Sequence, residues 1–231
     1  MDISNSTLEQ FARMHGRHYV PYASFPDNVL SGECHGDSHD VKPQIAFIET
    51  FRPDVVLHEF LGIDVYDPST KLWSKRREES SRTAHYDEDG RQVIVDLFRE
   101  LADDYGFLLI GCDLTLGERA YLVDARGGKY QSDEAIKSKR HQMGLPVNGL
   151  LGVSYLDLVE PERHQEMAEV YHQHRTNPGG LLMITGLHHV RGENPLNWQR
   201  SDLHDLLSPA DYGVMEHREN VKHKARELVL V

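Results

Sequence analysis

Leu181-Leu182-Met183-Ile184-Thr185, running into Gly186-Leu187-His188-His189, is the stretch that decides the fold class. A continuous apolar run of this length, closed by a glycine, suits a strand buried on both faces, as in parallel sheets. Three other runs have the same character. Residues 28–31 (NVLS) lead into Gly32-Glu33-Cys34-His35, and residues 54–58 (DVVLH) end at His58-Glu59. Residues 107–112 (FLLIGC) end at Gly111-Cys112-Asp113, and residues 228–231 read as a closing strand. Between the runs, apolar residues recur at helical spacing: Val41, Ile45 and Ile48, then Val93 or Ile94 with Leu97, Leu101 and Tyr105. Pro161 and Glu162 read as the first turn of a helix carrying Met167, Val170 and Tyr171. Alternation of strand and helix predicts an α/β fold, a mainly parallel central sheet flanked by helices. The whole chain, 1–231, reads as one domain. Residues 62–90 and 114–152 are polar insertions over the carboxyl-end edge of the sheet, the second with a helix near 133–141. They read either as a cover for a site or as ordinary surface.

Composition narrows the function classes. The 231 residues carry a formal charge of −12 with histidines neutral. Such a balance opposes non-specific nucleic-acid binding, which needs clustered Lys and Arg, and opposes docking on an anionic membrane. No apolar run is long enough to span a bilayer, and MDISNSTLEQFARMH lacks the basic start and apolar centre of a signal peptide. Only Cys34 and Cys112 are present, which excludes a disulfide scaffold and makes a cytoplasmic location the default expectation. There is no P-loop, no Gly-x-Gly-x-x-Gly and no Cys-x-x-Cys. The oligomeric state is not legible.

The chemistry follows the strands. In open parallel sheets, ligands bind outside the carboxyl ends. Four strand ends here deliver His35, Glu59, Asp113 and His189 to one edge, with Glu33 beside His35. Two of the four read Gly-x-x-His, in which glycine allows close approach of backbone to ligand. His35 and His189, with oxygen from Glu59 or Glu33, make a donor set compatible with zinc, manganese or cobalt. The alternative is that both histidines cap strand ends.

The ordered set resembles the TraB/PrgY and Tiki proteins and the wider superfamily of erythromycin-esterase-like and ChaN-like proteins. The matching residues are Gly32-Glu33-Cys34-His35, Pro53 to Glu59, Arg163 with Met167, and Gly186 to His189 with Gly192. Glu33, with His39 four residues after His35, lies closer to the ChaN and erythromycin-esterase branches. Arg163, Met167 and Gly192 lie closer to TraB. The resemblance implies an α/β fold with both Gly-x-x-His histidines, the strand-end glutamate and the arginine around one site. It implies a divalent ion by way of the Tiki proteases, a water-activating histidine by way of the esterase-like hydrolases, or haem by way of ChaN.

Each residue also has an ordinary reading. Glu59 is a general base or metal ligand, or else a structural acceptor for a helix terminus or for Arg163. Glu33 is a site carboxylate or a turn acceptor. Arg163 grips an anionic substrate or oxyanion, or is a first-turn charge. Asp113 completes the site or caps the next segment. His39 and His188 are secondary, and His58 points away from Glu59 along the strand. Cys34 has no identifiable partner for thiol chemistry. His172 and His174 face solvent. The expectation is a metal-assisted hydrolase of a peptide, ester or similar small polar substrate. The rivals are a non-catalytic small-ligand protein, haem included, and a regulatory protein on the same scaffold.

Overall fold

A computed structural model of the chain describes residues 3–22, 28–33, 38–78, 92–125, 153–186, 189, 203–207 and 212–217. These form an eight-stranded mixed sheet between two helical layers. The strands are β1 (Arg17–Pro21), β2 (Asn28–Glu33), β3 (Val55–His58), β4 (Asp64–Asp67), β5 (Leu72–Lys75), β6 (Leu108–Gly111), β7 (Leu181–Gly186) and β8 (Tyr212–His217). The helices are α1 (Asn5–Met14), α2 (Ser38–Phe51), α3 (Gln92–Tyr105), α4 (Leu116–Ala125), α5 (Val153–His174) and α6 (Leu203–Leu206).

Spatial order is β1-β8-β2-β7-β3-β6-β4-β5. The five central strands, β8, β2, β7, β3 and β6, are parallel. They contain all four apolar runs, and β2, β3 and β7 are buried along their whole length. Strands covered on both faces need no polar alternation, which is why these runs were readable. The edges are antiparallel: β1 on β8, β4 on β6, and β5 on β4.

Alternate residues of the sheet feed two cores. Val29, Val56, Leu109, Leu182 and Ile184 pack with Leu8 and Phe11 of α1, Phe47 and Ile48 of α2, and Phe98 and Ala102 of α3. Leu30, Val55, Leu57, Ile110 and Met183 pack with Met167, Val170 and Tyr171 of α5 and with Leu203 and Leu207. The chain moves across the sheet from β2 to β3 to β6 with α2 and α3 on one face. It then returns to β7 and β8 with α5 and α6 on the other. Crossovers of constant hand require the face to change when the direction reverses. Because β7 is inserted between β2 and β3, the face changes in the middle of the sheet, and in open α/β sheets ligands bind at the carboxyl ends beside such a switch.

Several expectations are corrected. Residues 64–75 do not lie above the sheet; they form the hairpin β4–β5 that extends it. The helix read as starting at Pro161 runs over Val153–His174, with Pro161 inside it. Two N-terminal elements, α1 and β1, add to the expected set; α1 is amphipathic, capped by Ser4 and buried through Leu8, Phe11 and Ala12. Among the described residues the last strand is Tyr212–His217; the strand expected at 228–231 and the helix expected near 133–141 lie outside the described residues. Among the described residues, no helix is long and apolar enough to cross a membrane.

The exit of the hairpin is tied across the end of β6. Arg76 donates from Nε to the Gly111 carbonyl (2.9 Å) and from Nη2 to the Asp113 carbonyl (3.2 Å), and it pairs with Glu166. Arg77 forks onto Glu118 at 2.5 and 2.9 Å. Thr115 and Glu118 close α4 with a capping box: Thr115 N–H to Glu118 Oε2 at 2.9 Å, and Glu118 N–H to Thr115 Oγ1 at 3.2 Å.

Gly111 is required by contact rather than by dihedral angle. A Cβ there would meet the Gly62 carbonyl oxygen at 2.3 Å and backbone carbon at 2.6 Å. Gly62 is itself in a positive-φ conformation (+55°) at the end of the turn after β3. Gly111→Ala is expected to cost about 2 kcal/mol or more, since backbone must move to admit the methyl; urea unfolding measures it. Burial pushes the Glu118 carboxyl up, but the Arg77 fork and the Thr115 contacts outweigh it and hold it below 4.5. The unfolded group therefore binds its proton first as pH falls. Its contribution is complete above about pH 4.5 and is lost as pH falls through the folded value. Urea midpoints measured from pH 6 to pH 3 should fall less steeply in Glu118→Gln than in the parent.

Candidate metal centre

Register brings the strand ends level. Glu33 lies opposite Gly186, and His58 lies opposite both Ile184 and Gly111. The chain leaves β3 through a single 3-10 turn, Glu59–Leu61. His58 turns away, accepts a hydrogen bond from the Phe60 N–H at 3.2 Å and packs edge-on against Phe98 of α3. Glu59 turns the other way, toward α5.

One face of α5 supplies three polar side chains at helical spacing: Glu160, Arg163 and His164. Arg163 is 2% exposed and reaches the strand ends. Its Nη2 donates to Asp113 Oδ2 at 2.7 Å and to Glu59 Oε1 at 3.3 Å, and its Nε donates to Asp113 Oδ2 at 3.0 Å. Arg119 holds the same Asp113 oxygen at 2.5 Å, and the Leu114 N–H donates to Oδ1 at 2.6 Å. The other oxygen of Glu59, Oε2, accepts from the Gly186 N–H at 2.5 Å. Glu59 thus links α5 to the end of β7. The clustered carboxylates raise the Arg163 pKa against the opposing effect of burial. This arginine is committed to protein carboxylates, so it positions its neighbours; it was read from sequence as a grip on substrate.

Beside this network, three ligating atoms converge. His164 Nε2 stands 2.8 Å from His189 Nδ1, and each nitrogen is 3.1 Å from Glu160 Oε1. His164 and His189 are buried, and Glu160 is the partly exposed corner. No placement of protons satisfies this triangle. Two protonated nitrogens would both reach the carboxylate but would oppose their N–H groups at 2.8 Å. With one proton, one edge sets a nitrogen lone pair against another lone pair or against the carboxylate. A cation among the three satisfies every edge. The charges agree: the guanidiniums of Arg163 and Arg119 face the carboxylates of Glu59, Asp113 and Glu160, leaving one negative charge in a largely buried cluster.

Protonation states also fit. Burial, with help from Arg163, lowers the His189 pKa against the pull of Glu160 and Glu59. Burial pushes Glu160 up, but the adjoining His164 and His189 side chains and the positive charge of Arg163 carry it well below the ordinary carboxylate range. Neutral imidazole and ionised carboxylate are the ligating forms. Behind His189, its Nε2 faces Glu59 Oε2 at 3.8 Å, longer than a hydrogen bond but in the place of an orienting carboxylate.

Of the residues expected from sequence, His189, Glu59, Arg163 and Asp113 meet at this edge of the sheet. Glu33 is buried at the end of β2, where Gln44 of α2 donates to its Oε2 at 2.9 Å. His35, Cys34 and His188, and the side chain of His39, lie outside the described residues. Cys112 is fully buried and its thiol is pushed well up by desolvation, with the charges of Asp113 and Glu59 adding, so it is no nucleophile. Glu160 and His164 were missed. Reading Pro161 as a helix start left Glu160 outside the helix, although Glu160, Arg163, His164 and Met167 stand at i, i+3, i+4 and i+7. His172 is exposed, as expected, and its Nε2 meets the Leu206 carbonyl at 2.9 Å.

Comparison with known proteins returns no matching family model, no matching curated protein and no matching solved structure.

Removing Arg163 would take the guanidinium from two buried carboxylates, leaving Glu59 the Gly186 N–H and Asp113 its contacts with Arg119 and the Leu114 N–H, so Arg163→Met is expected to cost about 3 kcal/mol in urea unfolding. Glu59→Gln keeps the size of the bridge but removes its charge. It should weaken metal binding about 10–100-fold, read by competition with a chromophoric chelator.

Proposed function

We propose that this protein is a metal-assisted hydrolase of a small polar substrate, a peptide or ester, with its ion held by Glu160, His164 and His189. The observation that carries the reading is the triangle of ligating atoms at 2.8, 3.1 and 3.1 Å. Two histidines and one carboxylate leave positions free for water and substrate, as in catalytic rather than structural centres. Zinc, manganese and cobalt all suit such mixed nitrogen and oxygen donors. When bound, the ion would acidify water and polarise a carbonyl.

The chain's own residues would do the positioning. Glu59 would hold His189 in its ligating orientation and, with Arg163, fix the distance between α5 and the end of β7. Asp113 and Arg119 would keep Arg163 in register. Resemblance of the strand-end motifs to the TraB and Tiki group supports the same chemistry. A reducing, cytoplasmic setting accords with the acidic balance and with Cys112 as a buried free thiol.

Elemental mass spectrometry of the purified protein tests this reading, comparing the parent with His164→Ala/His189→Ala and with His35→Ala. The expected result is near-stoichiometric metal in the parent, lost in the double variant together with turnover on ester and peptide panels. A parent that holds no metal after reconstitution with zinc, manganese and cobalt would overturn it.

A further inference from the structure

Helix α5 is fastened to the carboxyl end of the sheet at two points, and both fastenings end on the same residue. Arg163 reaches the Asp113 carboxylate, from Nη2 at 2.7 Å and from Nε at 3.0 Å. Three residues further along α5, Glu166 takes the Nη2 of Arg76, and that nitrogen also donates to the Asp113 carbonyl at 3.2 Å. The Arg76 Nε adds a bond to the Gly111 carbonyl at 2.9 Å. Asp113 thus holds α5 through its side chain at Arg163 and through its main chain, by way of Arg76, at Glu166. The contacts close a ring: Asp113, Arg163, one turn of α5, Glu166, Arg76 and back to Asp113. Arg77 braces the ring, donating from Nε to the same Glu166 oxygen at 2.9 Å while its fork holds Glu118 of α4.

Two fastenings do what one cannot. Apolar packing of Met167, Val170 and Tyr171 decides which face of α5 meets the sheet, but hydrophobic contact is non-directional. A single ion pair at Arg163 leaves the helix a pivot about which to roll. Glu166 stands at i+3 from Arg163, so the two are neighbours on the helix surface, and a second directed pair there opposes the roll. The side chains of Arg76 and Glu166 are 15% and 14% exposed, so their attraction is screened less than that of a surface pair. Glu160 and His164 flank Arg163 on the same stretch of helix, and any roll carries them relative to His189, which follows β7.

We propose that Glu166, held by Arg76, is a positioning residue for the candidate metal centre: it sets the roll of α5 that brings Glu160 and His164 up to His189. The inference rests on the metal-centre reading above and adds to it a pair of residues from outside the three ligands. It also gives the hairpin β4–β5 a task. The hairpin extends the sheet past β6, and its exit delivers Arg76 and Arg77 to α5 from the β6 side, whereas Glu59 holds the helix from the end of β3.

Metal affinity under native conditions tests the proposal, because a loss of global stability does not alter the affinity of molecules that remain folded. The affinity for the ion that the parent binds, zinc, manganese or cobalt, is read by competition with a chromophoric chelator. Glu166→Met, Arg76→Met and the double variant are compared, each first checked for cooperative urea unfolding. Tyr66→Phe is the control: it removes a 2.6 Å bond to Asp103 of α3 from the same hairpin. Glu166→Met is expected to weaken binding about ten-fold. Arg76→Met should weaken it in the same direction, and the double variant should bind no more weakly than Glu166→Met alone, because the two residues act through one contact. Tyr66→Phe should lower the urea midpoint and leave the affinity at the parental value. Parental affinity in either single variant, an equal loss in Tyr66→Phe, or losses that multiply in the double variant would each overturn the positioning role while leaving the metal centre in place. A parent that binds none of the three ions overturns the metal centre, and the inference with it.

Discussion

The Glu59 carboxylate joins what the chain separates. One oxygen takes the guanidinium of Arg163 on α5, and the other takes the backbone N–H of Gly186 at the end of β7. Of the candidate metal centre, Glu160 and His164 lie on α5, and His189 is the third residue after the end of β7. The bridge is buried, so its electrostatic interactions are little screened. It also satisfies a backbone donor that the strand ladder leaves open where β7 ends. Asp113 and Arg119 extend the network to β6 and α4. The site is therefore held by five chain segments, counting the turn that carries Glu59, whose mutual placement depends on a few charge-assisted hydrogen bonds.

A buried network of this kind is a weak source of net stability, since desolvation consumes most of the attraction. Its value here is geometric. The two apolar cores on either side of the sheet supply the bulk of the folding energy through residues such as Phe98, Leu109, Tyr171 and Leu182. Among the described residues the buried charged side chains gather at the carboxyl end of the sheet, where the strands stop and their last backbone groups need partners, while at the opposite end of β2 the buried Asn28 donates to Tyr171 and to the Arg175 carbonyl. Arg17 with Asp40, and Glu33 with Gln44, follow the same logic at the end of β2.

The fold class and the edge of the sheet that carries chemistry were legible in the sequence for one reason. Parallel strands covered on both faces appear as uninterrupted apolar runs, and the residue after each run marks its carboxyl end. Glu59, Asp113 and His189 were found by that rule. The rule is silent about helices, and so Glu160 and His164 escaped it; Pro161 compounded the omission by resembling a helix start. The edge strands β1, β4 and β5 escaped because they are short and partly exposed, with composition that pairing overrides. For Arg163, pairing with Glu59 was one of the readings that the sequence allowed, whereas its contact with Asp113 appears only in the fold.

The placement of β7 between β2 and β3 has a consequence for how the molecule is made. Val55 and Asn28 both pair with Leu181, so neither β2 nor β3 has its inner neighbour until about three-quarters of the chain exists. During synthesis the growing polypeptide carries one partial sheet, β3-β6-β4-β5, with an exposed, apolar inner margin that could accept a stray strand, while β1 and β2 have no strand neighbour until β7 and β8 are made. Closure by β7 is a late, long-range event of the kind that slows folding. It also brings His189 to α5. Maturation of the centre is thereby coupled to completion of the sheet, and nascent chains halted before this point would hold Glu160 and His164 without the third donor.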